Sequence, residues 1–274
     1  MFFDFSLVQG PGLLFWLAGV LAVLVVAISK SGFGGALGSL SAPILILVLP
    51  PKAALAVLLP IFLITDFFVV WKWRHFGIRR FIWLMFIFAV LGQVLGWLLF
   101  KFINDQMLVA LIGLVSLITA LNYFYKIFWP KEGEEKRQRL QARQMRQKPL
   151  ARAAIWCGLS GLASFVSLTG GILAQIFMLP LKLPRRYFVG TMVWYFLLIN
   201  LGKFPFFIEL GMFNMASLTV SLMLLPVLPV GVALGLWMNR TMSDKLFYHI
   251  SHIFLGLLGL RLLAPPLLHF FGSV

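Results

Sequence analysis

Long apolar runs separated by a few short polar segments set the pattern of this chain, and glycine-rich breaks interrupt two of the runs. Pro11–Ile28 is a full apolar span that ends in Ser29-Lys30-Ser31-Gly32-Phe33-Gly34-Gly35-Ala36-Leu37-Gly38-Ser39-Leu40-Ser41-Ala42-Pro43. Glycine weakens a helix and proline removes a backbone donor, so a helix entering this stretch breaks. Pro43–Leu49 continues apolar, Pro50-Pro51-Lys52 is a turn, and Ala53–Val70 is the next span. The basic loop Trp71–Arg80 leads to the spans Phe81–Phe100 and Met107–Phe128, which flank the short segment Lys101–Gln106. Trp129 to about Arg152 is the one extended hydrophilic stretch, with helix-favouring pairs such as Glu135 and Arg139 at i,i+4. The second half opens with Ala153–Leu181, again interrupted by Ser and Gly. The basic turn Lys182–Arg186 follows, and then the runs Tyr187–Ile199, Met212–Met238 and Phe247–Leu268. A hydrocarbon layer of roughly 30 Å needs about 20 helical residues, so Ile172–Leu181 cannot cross it alone.

Composition places these runs in a bilayer. Of 274 residues 61% are hydrophobic and 11% charged, whereas a soluble domain carries about 25% charged residues. The formal charge of +15 would suggest nucleic acid if it were spread over a surface, but the 23 Lys and Arg lie mostly in short segments between apolar runs. That distribution sets membrane orientation and argues against nucleic acid. It predicts Trp71–Arg80, Lys131–Arg152 and Lys182–Arg186 on the cytoplasmic side, with Pro50–Lys52 and both termini outside. The first run lacks a cleavage pattern and continues into the break, so it is expected to be a retained membrane segment. The single cysteine, Cys157, excludes an internal disulfide and a cysteine metal cluster.

The two halves resemble each other. Gly34-Gly35, Pro43 and Pro51-Lys52 correspond to Gly170-Gly171, Pro180 and Pro184-Arg185. With the first half opening outside and the second inside, the repeats are inverted, a transporter design with broken helices at the substrate site. The expected fold is all-α and polytopic, with two inverted repeats, each opened by a broken or re-entrant helix: 1–128, a basic linker 129–152, and 153–274. Gly-Phe-Gly-Gly followed by Pro43 and Lys52-Ala53-Ala54, with the second copy Thr169-Gly170-Gly171, Pro180, Pro184-Arg185 and Gly190-Thr191, resembles the sulfite exporter TauE/SafE family of bacterial permeases. The resemblance covers nearly the whole chain. It implies a multi-pass permease of the bacterial inner membrane for sulfite, thiosulfate or organosulfonate anions. Ala36 and Ile172 depart from it, standing where many members carry a third glycine.

Polar residues inside apolar runs default to function. Of the eight acids only Asp66 falls well inside a span. It is a proton-coupling candidate, or a structural partner for a lysine or for backbone N–H groups. The expected substrate-binding set is Lys30, Ser31, Gly34, Gly35, Ser167, Thr169, Gly170 and Gly171, with the amides of Gly34 and Gly35 foremost. Lys30 alternatively snorkels to the interface, and each serine alternatively packs helices. Asn200 and Lys203 occupy the region of the second half that corresponds to Asp66, and Lys203 is alternatively an outer-end anchor. Gln93 suits an interhelical hydrogen bond, and His249 and His252 suit a polar helix face. No nucleotide-binding or zinc-protease pattern occurs. The expected partners are a small anionic substrate and the lipid bilayer, with a homo-oligomer left open and no cofactor or metal. The rival readings are an intramembrane lipid-processing enzyme and an anion channel.

Overall fold

The computed structural model describes residues 12–32, 35–128, 149–241 and 243–272, and among these every regular element is helical. The first half comprises α1 (Leu13–Gly32), a 3-10 turn (Ala36–Leu40), α2 (Ser41–Ile46), α3 (Pro51–Trp73), α4 (Arg79–Phe100) and α5 (Asp105–Phe128). The second comprises α6 (Pro149–Ser167), α7 (Gly171–Met178), α8 (Arg185–Glu209), α9 (Met215–Leu224), α10 (Val227–Thr241) and α11 (Asp244–Gly272). Among the described residues six helices are long and apolar enough to cross a membrane, or seven spans if the bent pair α9–α10 counts as one. The chain is therefore an all-α polytopic membrane protein.

Three elements differ from the sequence pattern. The run Met212–Met238 is two helices meeting at 48°, because Pro226 between them has no N–H to continue α9. A capping box between Asn214 and Ser217 starts α9. The run expected to end at Ile199 continues as α8 to Glu209, with Pro205 inside the helix. At the hydrophilic segment, α6 already begins at Pro149.

The most extensive helix pairings all join one half to the other: α1 with α10, α4 with α6, α5 with α11, and α3 with α8. Small residues permit this. A Cβ at Gly92 would fall on the Gly158 carbonyl, one at Gly161 on the Ala89 carbonyl, and one at Gly32 on the Gly235 carbonyl. Such close backbone approach is how helices associate where lipid removes the hydrophobic drive between them. In packing the two halves interlock as one body. α3 is apolar on every side and mostly buried, which puts it at the centre of the bundle.

The two ends of the bundle differ in charge. At one end Lys52 lies 3.6 Å from Asp105, and Glu209 takes bonds from Lys101 (3.0 Å) and the Trp97 indole. At the other end the Ile78 N–H donates to Thr191 (3.1 Å) and the Phe76 ring meets Tyr187. These contacts gather Arg74, Arg79, Arg80 and Arg186 at that end. α1 lies parallel to α10, with Ala27 beside Gly231 and Gly32 beside Gly235. α6 lies parallel to α4, with Gly161 beside Ala89 and Phe165 beside Gly96.

Candidate functional site

Where α1 and α6 end, charged side chains meet inside the bundle. Phe62 and Asp66 share a face of α3 at i,i+4, and Phe196, Asn200 and Lys203 share a face of α8. These two faces oppose each other across the α3–α8 contact. Lys30, in the last turn of α1, enters between them. Its Nζ donates to Asp66 Oδ1 (2.6 Å) and to the Phe62 carbonyl (3.2 Å), and it sits 4.2 Å from the Phe62 ring centre and 5.9 Å from that of Phe196. Asn200 Nδ2 donates to the other carboxylate oxygen, Asp66 Oδ2 (2.6 Å). Lys203 Nζ donates to the Ser164 carbonyl (3.1 Å) and to Ser164 Oγ (3.0 Å).

All four polar side chains are sealed from solvent: Lys30 is 2% exposed, Asp66 1%, Asn200 2% and Lys203 0%. Burying an ion costs several kcal/mol even after relaxation, so the partners matter. Lys30 and Asp66 neutralise each other. Both lysines also lie at helix C-termini, where the dipole favours cations. Lys30 is in the last turn of α1, and Lys203 reaches a carbonyl in the last turn of α6.

The breaks beside this centre are built differently. Gly35 has φ 81°, and a Cβ there would lie 2.7 Å from Phe196. Glycine serves both the left-handed backbone and the close approach. In the second break the left-handed residue is Leu168, with φ 58°, a strained conformation for a bulky non-glycine residue. Beyond it Ser160 Oγ bonds the Gly170 carbonyl (2.7 Å) and the Tyr195 hydroxyl (2.8 Å), tying α6, α7 and α8 together.

Of the residues singled out in the sequence, Lys30 and Asp66 come together. The others are placed differently. The Gly35 amide, expected to face substrate, donates to the Ser29 carbonyl (2.9 Å) and so serves the end of α1. Gly34 lies outside the described residues. The Ser31 hydroxyl bonds the carbonyls of Ala27 (2.7 Å) and Val232 (3.3 Å) at the α1–α10 contact. Ser167 bonds the Ala163 carbonyl and Thr169 Oγ1. Gly170 packs against Ser160, leaving no room for a Cβ, and Gly171 is the buried first residue of α7. Lys30 does not snorkel, and Lys203 is no outer-end anchor. Gln93 makes the expected interhelical bond, to the Ile199 carbonyl (2.6 Å). His249 bonds Tyr123 across α5–α11, and His252 stacks on the same ring. Gln175 on α7 buries an amide nitrogen that has no hydrogen-bond partner among the described residues. In the sequence Ser164 stands out only as a hydroxyl near the second break, and Lys203 as a residue of the region corresponding to Asp66 with an outer-end anchor as its alternative. Among the described residues no three His, Cys, Asp or Glu side chains gather as metal ligands.

Comparison with known families matches residues 19–262 to the one described as sulfite exporter TauE/SafE. No curated protein matches the chain, and no solved structure does. A match over most of the chain, on an all-helical membrane bundle with a buried charged centre, assigns it: the protein belongs to the sulfite exporter TauE/SafE family of membrane transporters.

Proposed function

We propose that this protein is a secondary transporter for a small sulfur-containing oxyanion, with sulfite, thiosulfate and organosulfonates as the substrate class. The observation that carries this reading is the membrane-buried centre in which two lysines accompany one carboxylate. A bundle interior tolerates such a charge imbalance where an anion passes. The family description supplies the sulfur chemistry.

The inverted arrangement is part of this proposal, and the helix directions support it. α1 starts at the Lys52/Asp105 end of the bundle, and the chain returns to that end at Pro51. α6 starts at the arginine-rich end, parallel to α4, and the chain returns there at Lys182–Arg186. The opening segments of the two halves thus enter from opposite ends, and the arginine-rich end faces the cytoplasm by the positive-inside rule. Alternating access comes from rocking. Because α1 grips α10 and α4 grips α6 by backbone contact, each moving body contains elements of both halves. A membrane potential negative inside opposes anion entry by about 2.3 kcal/mol per charge per 100 mV. Export of an anion runs downhill, whereas uphill uptake requires coupling, for which Asp66 is the buried acid available.

Purified protein in proteoliposomes tests the reading with radiolabelled sulfite, thiosulfate and a sulfonate. Saturable flux of at least one is expected. Absence of flux for all three, under a proton gradient and under either sign of potential, overturns the substrate class. Flux that rises linearly with voltage and does not saturate makes the protein a channel.

A further inference from the structure

We propose that Lys203, together with the Ser164 hydroxyl, binds the transported anion, and that the site takes a singly charged oxyanion. This deepens the transport reading and rests on it only for the chemical identity of the anion.

Asp66 is the buried carboxylate of the centre, and both its oxygens are occupied, Oδ1 by Lys30 and Oδ2 by Asn200. Lys30 is thereby neutralised, and it gives a further bond to the Phe62 carbonyl. Lys203 has the same burial and no counter-ion among the described residues. An ammonium has three N–H donors. Two of those of Lys203 reach neutral oxygens of one residue, the Ser164 carbonyl and hydroxyl, which leaves one donor; its charge is countered only at longer range by the Asp66 carboxylate, which Lys30 already holds in direct contact. Ser164 Oγ accepts from Lys203, and its own O–H finds no acceptor among the described residues. An ammonium N–H and a hydroxyl O–H on neighbouring atoms form a donor pair suited to two oxygens of one small oxyanion. With Lys30 and Asp66 cancelling, a monoanion makes the occupied centre neutral. A dianion would leave a net negative charge buried.

Lys203 and Ser164 come from α8 and α6, both in the second half, whereas the Lys30–Asp66 pair comes from α1 and α3. The first half thus supplies a fixed neutral pair, and the second supplies the variable charge.

The test is thermal unfolding of the full-length protein in detergent, with sodium salts of sulfite, thiosulfate, nitrate, sulfate and phosphate titrated against gluconate at constant ionic strength. Wild-type protein is expected to be stabilised by a monoanion, bisulfite or nitrate, more than by the dianions thiosulfate and sulfate; stabilisation by a dianion alone overturns the single charge. In Lys203→Gln the apparent Kd for that anion should rise at least about tenfold, the loss of a charge-assisted hydrogen bond, while the unliganded Tm stays level or rises because an uncompensated charge has gone. Ser164→Asp places a permanent carboxylate beside Lys203 and should abolish the anion response. It carries the test if Lys203→Gln is not recovered folded. Lys203→Arg should retain a weakened response. Wild-type affinity in Lys203→Gln or in Ser164→Asp overturns the proposal, as does a wild-type protein that no anion stabilises. A wild-type response to nitrate or phosphate but to no sulfur anion, lost in both variants, upholds the site and overturns the sulfur assignment instead.

Discussion

Asp66 has both carboxylate oxygens bonded to donors from other helices, Lys30 of α1 and Asn200 of α8, and this makes single substitutions there severe. Asp66→Asn leaves Lys30 buried without its counter-charge. Breaking a buried pair from one side costs about 3–5 kcal/mol, whereas replacing both partners with apolar residues is often near neutral. Asp66→Asn is therefore expected to lower the Tm of the detergent-solubilised protein sharply. The double variant Lys30→Met/Asp66→Leu should recover most of that loss. A double variant as unstable as the single one would show that the pair does more than neutralise itself. Part of this centre was legible in the sequence. Asp66 stands out as the one deep acid, and aligning the repeats on Pro51 and Pro184 brings it within one residue of Asn200, the partner found. Lys203 was legible as a neighbour of Asn200 in that region, but its depth was not. Gly202 and Pro205 flank it and the apolar run fades after Ile199, so a local reading puts it at a span end, whereas the helix continues to Glu209.

The same left-handed backbone serves the first break and the turn after α8. Gly35 and Gly211 both have left-handed backbone, φ 81° and 63°, but a Cβ at Gly211 meets nothing within 4 Å while one at Gly35 meets Phe196 at 2.7 Å. Gly211→Ala should lose only the conformational term, about 1–2 kcal/mol. Gly35→Ala should lose more and impair transport as well, since Phe196 also lies over Lys30. Equal losses of Tm for the two variants would mean that the Phe196 contact yields freely. Likewise Gly161→Leu drives a side chain into the Ala89 carbonyl and should separate α4 from α6, giving protein that aggregates on size-exclusion chromatography; Gly12→Leu, in open space, should not. The sequence marks where helices break, because Gly and Pro act locally. It does not mark Leu168, whose left-handed φ of 58° is imposed by its surroundings and not by its own preference.

At the scale of the molecule, the interlocked pairing predicts that neither half is stable alone, and the charge of the two ends predicts orientation. In a Cys157→Ser background, cysteine at Phe102, which is 83% exposed in the α4–α5 turn, should react with a membrane-impermeant thiol reagent on intact cells. Cysteine at His75, at the arginine-rich end, should react only after lysis. The reverse labelling would invert the proposed topology.

The sequence by itself determined that the chain spans a membrane as helices, where the two breaks fall, and which end carries the basic residues. Each of these follows from properties summed over neighbours in the chain: hydropathy over a span, helix-breaking residues at a point, lysines and arginines in a loop. Tertiary structure decided which charges cancel. Lys30 meets Asp66 across 36 residues, Asp66 meets Asn200 across 134, and Lys203 meets Ser164 across 39. Whether a buried lysine is neutralised or left to bind an anion depends on where the nearest carboxylate lies in space, because the strength of an ion pair is set by distance and burial.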